Sequence, residues 1–153
     1  MRRLMRAAHL ARRAWWWAAR PVTLGVKVVL VDPDGRVVLV RHTYQRGWYL
    51  PGGGVRRRES FDRAARREIR EELDIDVDGS LELVGIYFST RSFKRDHVVV
   101  YVARRWSGTP RAASREIAEV RLVTPDDLPA DATPATIRRI AEVFAGARVT
   151  GVW

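Results

Sequence analysis

The apolar positions of this chain fall into short runs divided by turn signals. Val22 to Val31 (VTLGVKVVLV) is rich in β-branched residues and reads as a strand. Asp32-Pro33-Asp34-Gly35 follows as a turn, with Pro setting φ and Gly permitting positive φ. Arg36 to Val40 (RVVLV) reads as a second strand, and the pair is expected to form a hairpin. Arg41 to Gly47 is a polar loop, Trp48-Tyr49-Leu50 is a short extended piece stopping at Pro51, and Gly52-Gly53-Gly54 is a loop that bends freely. Ser60 to Leu73 carries the clearest helical period. Phe61, Ala65, Ile69 and Leu73 recur every four residues as one apolar stripe behind the N-cap Ser60. Leu81 to Ser89 and His97 to Ala103 read as strands, the latter buried because it is apolar on both faces, and Glu116 to Val123 reads as another. Thr124-Pro125-Asp126-Asp127 has the start signals of a helix; Thr133-Pro134 opens a second one that runs to about Ala145 and stops at Gly146. Strands, a central helix, more strands and a terminal helix imply an α/β (α+β) domain with a mixed sheet between helices.

Composition narrows the class. At 153 residues, 46% hydrophobic and 30% charged, the chain is globular and of single-domain size. It has no cysteine, which excludes disulfides, a thiolate nucleophile and a Cys-ligated zinc site. Lys and Arg number 28 against 18 Asp and Glu, a net charge of +10, and only Lys27 and Lys94 are lysines. Such a balance suits an anionic partner: nucleic acid, nucleotide, phosphate or a lipid surface. A genome rich in G and C would produce the same arginine excess.

Residues 1–20 form a basic, Trp-rich arm ahead of the domain at 21–153. Arg2, Arg3, Arg6, Arg12 and Arg13 precede the apolar run Ala14–Ala19 with Trp15, Trp16 and Trp17. That run is too short for a secretory signal or for the roughly 18–20 residues of a spanning helix. The expectation is a soluble, cytoplasmic protein. Two uses of the arm stay open: packing on the domain or a second subunit as a dimer contact, and peripheral contact with an anionic membrane.

The acidic residues are fewer but more informative. On the expected helix, Glu68, Glu71 and Glu72 stand at i, i+3 and i+4, which at about 100° per residue puts three carboxylates on one face. Like charges at this spacing repel. A hard divalent cation, Mg²⁺ or Mn²⁺, would compensate them better than zinc, which prefers imidazole and thiolate. The alternative is a solvated face of ion pairs, with Arg67 to Glu71 as one pair and Arg63, Arg66 and Arg70 offering others.

The segment Gly53 to Ile75 resembles the signature of the Nudix hydrolase family, G-x5-E-x7-R-E-U-x-E-E-x-G-U with U bulky and aliphatic. Gly53, Glu59, Arg67-Glu68, Ile69, Glu71-Glu72 and Ile75 take the defined places. Asp74 departs, standing where the family has the glycine that ends the helix with positive φ; Asp tolerates that backbone at small cost. Leu50-Pro51-Gly52 ahead of the box is similar too, and the likeness extends over Val22 to Ala145.

The resemblance implies a Nudix-type α/β/α sandwich and hydrolysis of the diphosphate linkage in a nucleoside diphosphate derivative: an NTP or dNTP, a nucleotide sugar, ADP-ribose or a related compound. It implies Mg²⁺ or Mn²⁺ held by Glu71 and Glu72, with Glu68 as a further ligand or the base, and the Gly52 carbonyl as another ligand. Arg67 would orient the glutamates, while Gly53, Glu59 and Asp74 would shape the loop and helix. An additional downstream acid, acting in catalysis or as a ligand, is expected at Glu116, with Glu119 second. Arg41, Tyr44 and Arg46 are candidates for substrate contact, and Arg56-Arg57-Arg58 for steering an anion or for a solvated loop. Tyr87, Phe88 and Phe93 would either stack a base or fill the core. Trp48 is expected to pack beside the loop, and His9, His42 and His97 are given no metal role. The expected partner is a small nucleotide-type molecule and not a stable nucleic acid complex. The competing reading is a Nudix-like nucleotide sensor or RNA-binding module without turnover.

Overall fold

A computed structural model describes residues 22–89 and 95–153, with only the backbone of Arg95. The basic arm and Phe93 lie outside these residues. Strands β1 (Val22–Leu30) and β5 (Arg95–Ala103) pair in parallel, and β4 (Glu82–Ser89) adds antiparallel to β5, giving a mixed sheet in the order β1-β5-β4. A second ladder joins β2 (Val37–His42) to β7 (Ile117–Val123), antiparallel. Two-residue strands β3 (Asp76–Val77) and β6 (Trp106–Ser107) close a small third pair.

Helices α1 (Phe61–Leu73) and α2 (Pro134–Phe144) cover opposite faces. The alternation of side chains along a strand decides which core each residue joins. Val26, Val28 and Leu30 of β1 and Val38 and Val40 of β2 pack with Ala65, Ile69 and Leu73 of α1. The residues between them, Val29, Val37 and Leu39, pack with Ile140 of α2 and with Trp48, Leu50 and Tyr87. Two apolar layers on opposite faces of these strands make the α/β/α sandwich. Trp48 is part of this second core, only 1% exposed.

Both helix starts follow their local chemistry. The Ser60 side chain accepts from Arg63 N–H and that of Thr133 from Thr136 N–H, while Pro134 stands in the first turn. Asp74 ends α1 in the left-handed region at φ 55° and ψ 40°, the conformation expected of the residue that replaces glycine there. Its carboxylate pairs with Arg111.

Two expectations are corrected. The hairpin does not form a ladder: Asp32 caps the turn by accepting from Arg36 N–H at 2.7 Å, but β1 and β2 share only the Val31–Val37 bridge. The segment 48–55 wedges between them instead. Tyr49 exchanges both backbone hydrogen bonds with Val40, while Pro51 and Gly53 carbonyls accept from Val28 and Val26 N–H. The helix signalled at Thr124 is only a turn, closed by Asp127 N–H to the Thr124 carbonyl. Pro129 lacks an N–H and would clash with the preceding turn, so a helix begun at Pro125 has no room to propagate.

Candidate active site

The glycine loop lies flat along β1, and that contact builds the site. Gly52 has φ 122°, and a Cβ there would sit 2.5 Å from the Val26 carbonyl oxygen, so backbone meets backbone only because the residue is glycine. Gly53 faces α1: a Cβ on it would lie 2.6 Å from a Glu68 carboxylate oxygen. Loop and helix therefore bring Gly53 and Glu68 together across fifteen residues of chain.

Glu72 is buried on the inner side of α1, 7% exposed, and its Oε2 accepts from the Gly52 N–H at 2.8 Å. Burial pushes its carboxyl above the usual carboxylate range, against the opposing pull of the Lys27 ammonium and that hydrogen bond. Arg67 is the hub of the outer side. Its Nε and Nη2 grip both oxygens of Glu59 at 2.7 and 2.8 Å, Nη2 also reaches the Gly54 carbonyl at 2.9 Å, and Nη1 donates to Glu68 at 2.5 Å and Glu71 at 3.3 Å. The bidentate grip and a further hydrogen bond from Arg56 N–H hold the Glu59 carboxyl down at about 2. Arg56 Nη2 donates to the other Glu71 oxygen at 3.0 Å.

Gly52, Gly53, Gly54, Arg56, Glu59, Glu68, Glu71 and Glu72 open onto one cleft of 1290 Å³, which is also lined by Lys27, His42, Tyr44, Arg57, Arg58, Arg115 and Glu116. Arg67 does not line it and meets it only through the glutamates it holds. Glu116 enters from the loop before β7, far in sequence from α1, and its charge reaches Glu72 and Tyr44. Burial and the Glu116 charge both raise the Tyr44 hydroxyl above its ordinary value, and the ring sits 5.1 Å from that of His42.

The structure thus gathers Gly52, Gly53, Glu59, Glu68, Glu71, Glu72, Glu116 and Tyr44 at one place. Arg41 and Arg46 do not line that cleft. Arg41 pairs with Glu119 and lies 5.3 Å from the Trp48 ring centroid, and Arg46 offers its carbonyl to the Tyr49 hydroxyl. Glu119 is taken up by Arg41 and Arg121. Asp74 stands at the helix end, tied to Arg111. Tyr87 is fully buried, Phe88 is 39% exposed, and neither lines the cleft.

Sequence reasoning missed Lys27. It donates to the Gly52 carbonyl at 2.5 Å, and burial lowers its ammonium below the usual value even though Glu72 and Glu68 pull it upward. Its signal was in plain view: one cation inside an otherwise apolar strand, and one of two lysines among 28 basic residues.

The donor set suits a hard cation, being a carbonyl and carboxylates with no sulfur or imidazole in contact. Among the described residues no three acidic or histidine side chains converge closely enough to hold an ion as they stand. Arg56, Arg67 and Lys27 engage the loop and its glutamates instead. The chemistry of the donor set fits a divalent ion, and admitting one requires these side chains to rearrange.

The NUDIX domain model matches residues 21–144. A MutT-like protein of Streptomyces ambofaciens is 32% identical over 123 residues, covering 80% of this chain and 72% of that protein. An RNA pyrophosphohydrolase of Caulobacter vibrioides (strain NA1000 / CB15N) is 46% identical over 63 residues, 39% of this chain and 35% of that one. The crystal structure of a MutT NUDIX hydrolase from Burkholderia pseudomallei superposes with a TM-score of 0.73 at 29% identity, over 80% of this chain and 98% of that one. The chain belongs to the Nudix family and is a pyrophosphohydrolase of that class.

Proposed function

We propose that residues 21–153 form a metal-dependent hydrolase that cleaves the diphosphate linkage of a nucleoside diphosphate derivative. One observation carries the reading: the glycine loop, the acidic face of α1 and Glu116 from a distant segment meet in a single cleft rimmed by arginines. Gly52 through its carbonyl, with Glu68, Glu71, Glu72 and Glu116, would hold Mg²⁺ or Mn²⁺. Such an ion supplies neutralisation of phosphate oxygens and activation of water.

The chain's own residues do the rest. Arg67 fixes Glu59 to the loop and holds Glu68 and Glu71 in register, so the carboxylates are oriented before substrate arrives. Glu68, pressed against Gly53, or Glu116 takes the proton from the attacking water. Arg57, Arg58 and Arg115 at the cleft surround a polyanion with positive charge, and the Tyr44 hydroxyl, kept protonated by burial and Glu116, donates a hydrogen bond to it. The net charge of +10 then serves attraction of a small polyanion.

The test is turnover of a panel with Mg²⁺, with Mn²⁺ and with chelator. The panel holds dNTPs, oxidised dGTP, ADP-ribose, nucleotide sugars, dinucleoside polyphosphates and RNA with a 5′-triphosphate, the last because of the Caulobacter relative. Metal-dependent release of phosphate, diphosphate or a nucleoside monophosphate from at least one compound is expected. Turnover that persists in chelator, or none with any compound, overturns the reading.

A further inference from the structure

The Lys27 ammonium sits against a backbone oxygen of the residue that also binds Glu72. It donates to the Gly52 carbonyl, while the N–H of the same glycine donates to Glu72. Val26 and Val28 on either side donate to the Gly53 and Pro51 carbonyls and are buried in the α1 core, and Lys27 between them lines the cleft. Glu72 and Glu68 both act on its charge. No other lysine is present among the described residues, although arginine is used throughout. A planar guanidinium carries its charge over a wide fork, whereas an ammonium is a compact point charge with three donors. A point charge against a carbonyl and carboxylates imitates a small hard cation.

We propose that Lys27 is a positioning residue that holds the metal's place: its ammonium neutralises the Gly52–Glu72 corner in the metal-free protein and is displaced when a divalent ion binds. The proposal rests on the metal reading of the site above. Two consequences follow from the charges. The lysine relieves carboxylate repulsion when no ion is present, and it sets a threshold against the ion, since a cation a few ångströms from a dication opposes its binding. Metal occupancy then needs a higher ion concentration than the same carboxylates alone would require.

The experiment titrates Mn²⁺ alone, without substrate, following free Mn²⁺ by electron paramagnetic resonance and melting by circular dichroism. Lys27→Met keeps an unbranched chain one heavy atom shorter and removes the charge. It is expected to bind Mn²⁺ about tenfold more tightly than the native chain and to show a larger rise in Tm on saturation. Because the chain has no cysteine, Lys27→Cys alkylated with 2-bromoethylamine in denaturant and refolded restores an ammonium at that position alone. It is expected to return Mn²⁺ affinity to the native value, which a purely structural loss would not do. Equal or weaker affinity in Lys27→Met, or no return on aminoethylation, overturns the proposal. Glu72→Gln in the same titration separates the two readings. If it loses Mn²⁺ while Lys27→Met gains nothing, only the lysine proposal falls. If it binds as the native chain does, the metal site and the lysine proposal fall together.

Discussion

Two helices of 13 and 11 residues flank the sheet, and near the end of each a glutamate is held away from water. Glu142 on α2 is saturated. Arg139 donates to it at 2.7 Å and the Tyr87 hydroxyl at 2.5 Å, and the Arg139 guanidinium lies 3.6 Å from the centroid of the same Tyr87 ring. Arg139 is fully buried and also reaches the Val152 carbonyl, so the cluster ties the chain end to the second core. Burial and Glu142 together raise the Tyr87 hydroxyl well above its ordinary value. Glu72 on α1 has one backbone donor and the Lys27 ammonium nearby, and it lines the cleft. The contrast shows what separates a structural buried charge from a chemical one. The first has its partners supplied and closed off, while the second keeps an open side and partners that can leave.

The same substitution at both glutamates breaks the comparison most sharply. Glu72→Gln should cut turnover by roughly 10²–10⁴-fold while leaving Tm within a few degrees. Glu142→Gln leaves Arg139 as a buried cation without its counter-charge, so it should cost about 3 kcal/mol, or about 10 °C in Tm, with turnover per folded molecule unchanged. Phosphate release and thermal melts on the two variants check both halves. Equal effects of the two on turnover would erase the distinction.

The glycines beside the two helices sharpen it further. An alanine at Gly53 would press on the Glu68 carboxylate, the flexible end of a side chain, so the protein folds but Glu68 moves. Turnover is expected to fall about tenfold, an effect of positioning. Gly146, just past α2, has open space around it but φ 61°. Alanine there should cost about 1 kcal/mol of stability and nothing in turnover.

Acidity acts with opposite signs on two carboxylates of the α1 side. Glu59 is lowered from the usual 4.5 to about 2 by Arg67, so its contribution to stability is complete above pH 4.5 and is lost as pH falls toward 2. Glu72 is raised, so ionising it works against folding as pH climbs above 4.5 in the absence of metal. Urea midpoints measured against pH should therefore show Glu59→Gln losing the acid-limb slope, and Glu72→Gln gaining on the native chain as pH rises. The smallest effect belongs to Asp74→Gly. It relaxes a left-handed aspartate and gives up an exposed pair with Arg111, which leaves stability within about 0.5 kcal/mol in a melt.

The helical half of the site was legible because an α-helix turns at a fixed rate. Once Ser60 starts α1 and the Phe61–Leu73 stripe faces the core, the directions of Glu68, Glu71 and Glu72 follow without reference to anything else in the chain. The positive φ of Asp74 was legible only through the resemblance, because the residue stands where the family has a glycine. The strands were readable as strands, but not their neighbours. A turn as well formed as Asp32–Gly35 suggested a hairpin, and only the docking of residues 48–55 along both strands shows why the pair is pried apart.

What tertiary structure alone decided is which distant residues share the cleft. The sequence ranked Glu116 ahead of Glu119 without excluding either, and packing separates them: Glu116 lines the cleft and Glu119 is consumed by Arg41 and Arg121. The choice depends on how β7 lies against β2, with its irregular register between Arg41 and His42. The same docking withdraws Arg41 from the cleft. Lys27 acquires its place only when the glycine loop settles on β1 and presents the Gly52 carbonyl. By itself the sequence determined the family, the acidic face and the caps, because those depend on spacing along one helix. Partners from separate segments are set by packing, which fixes distances that no spacing along the chain encodes.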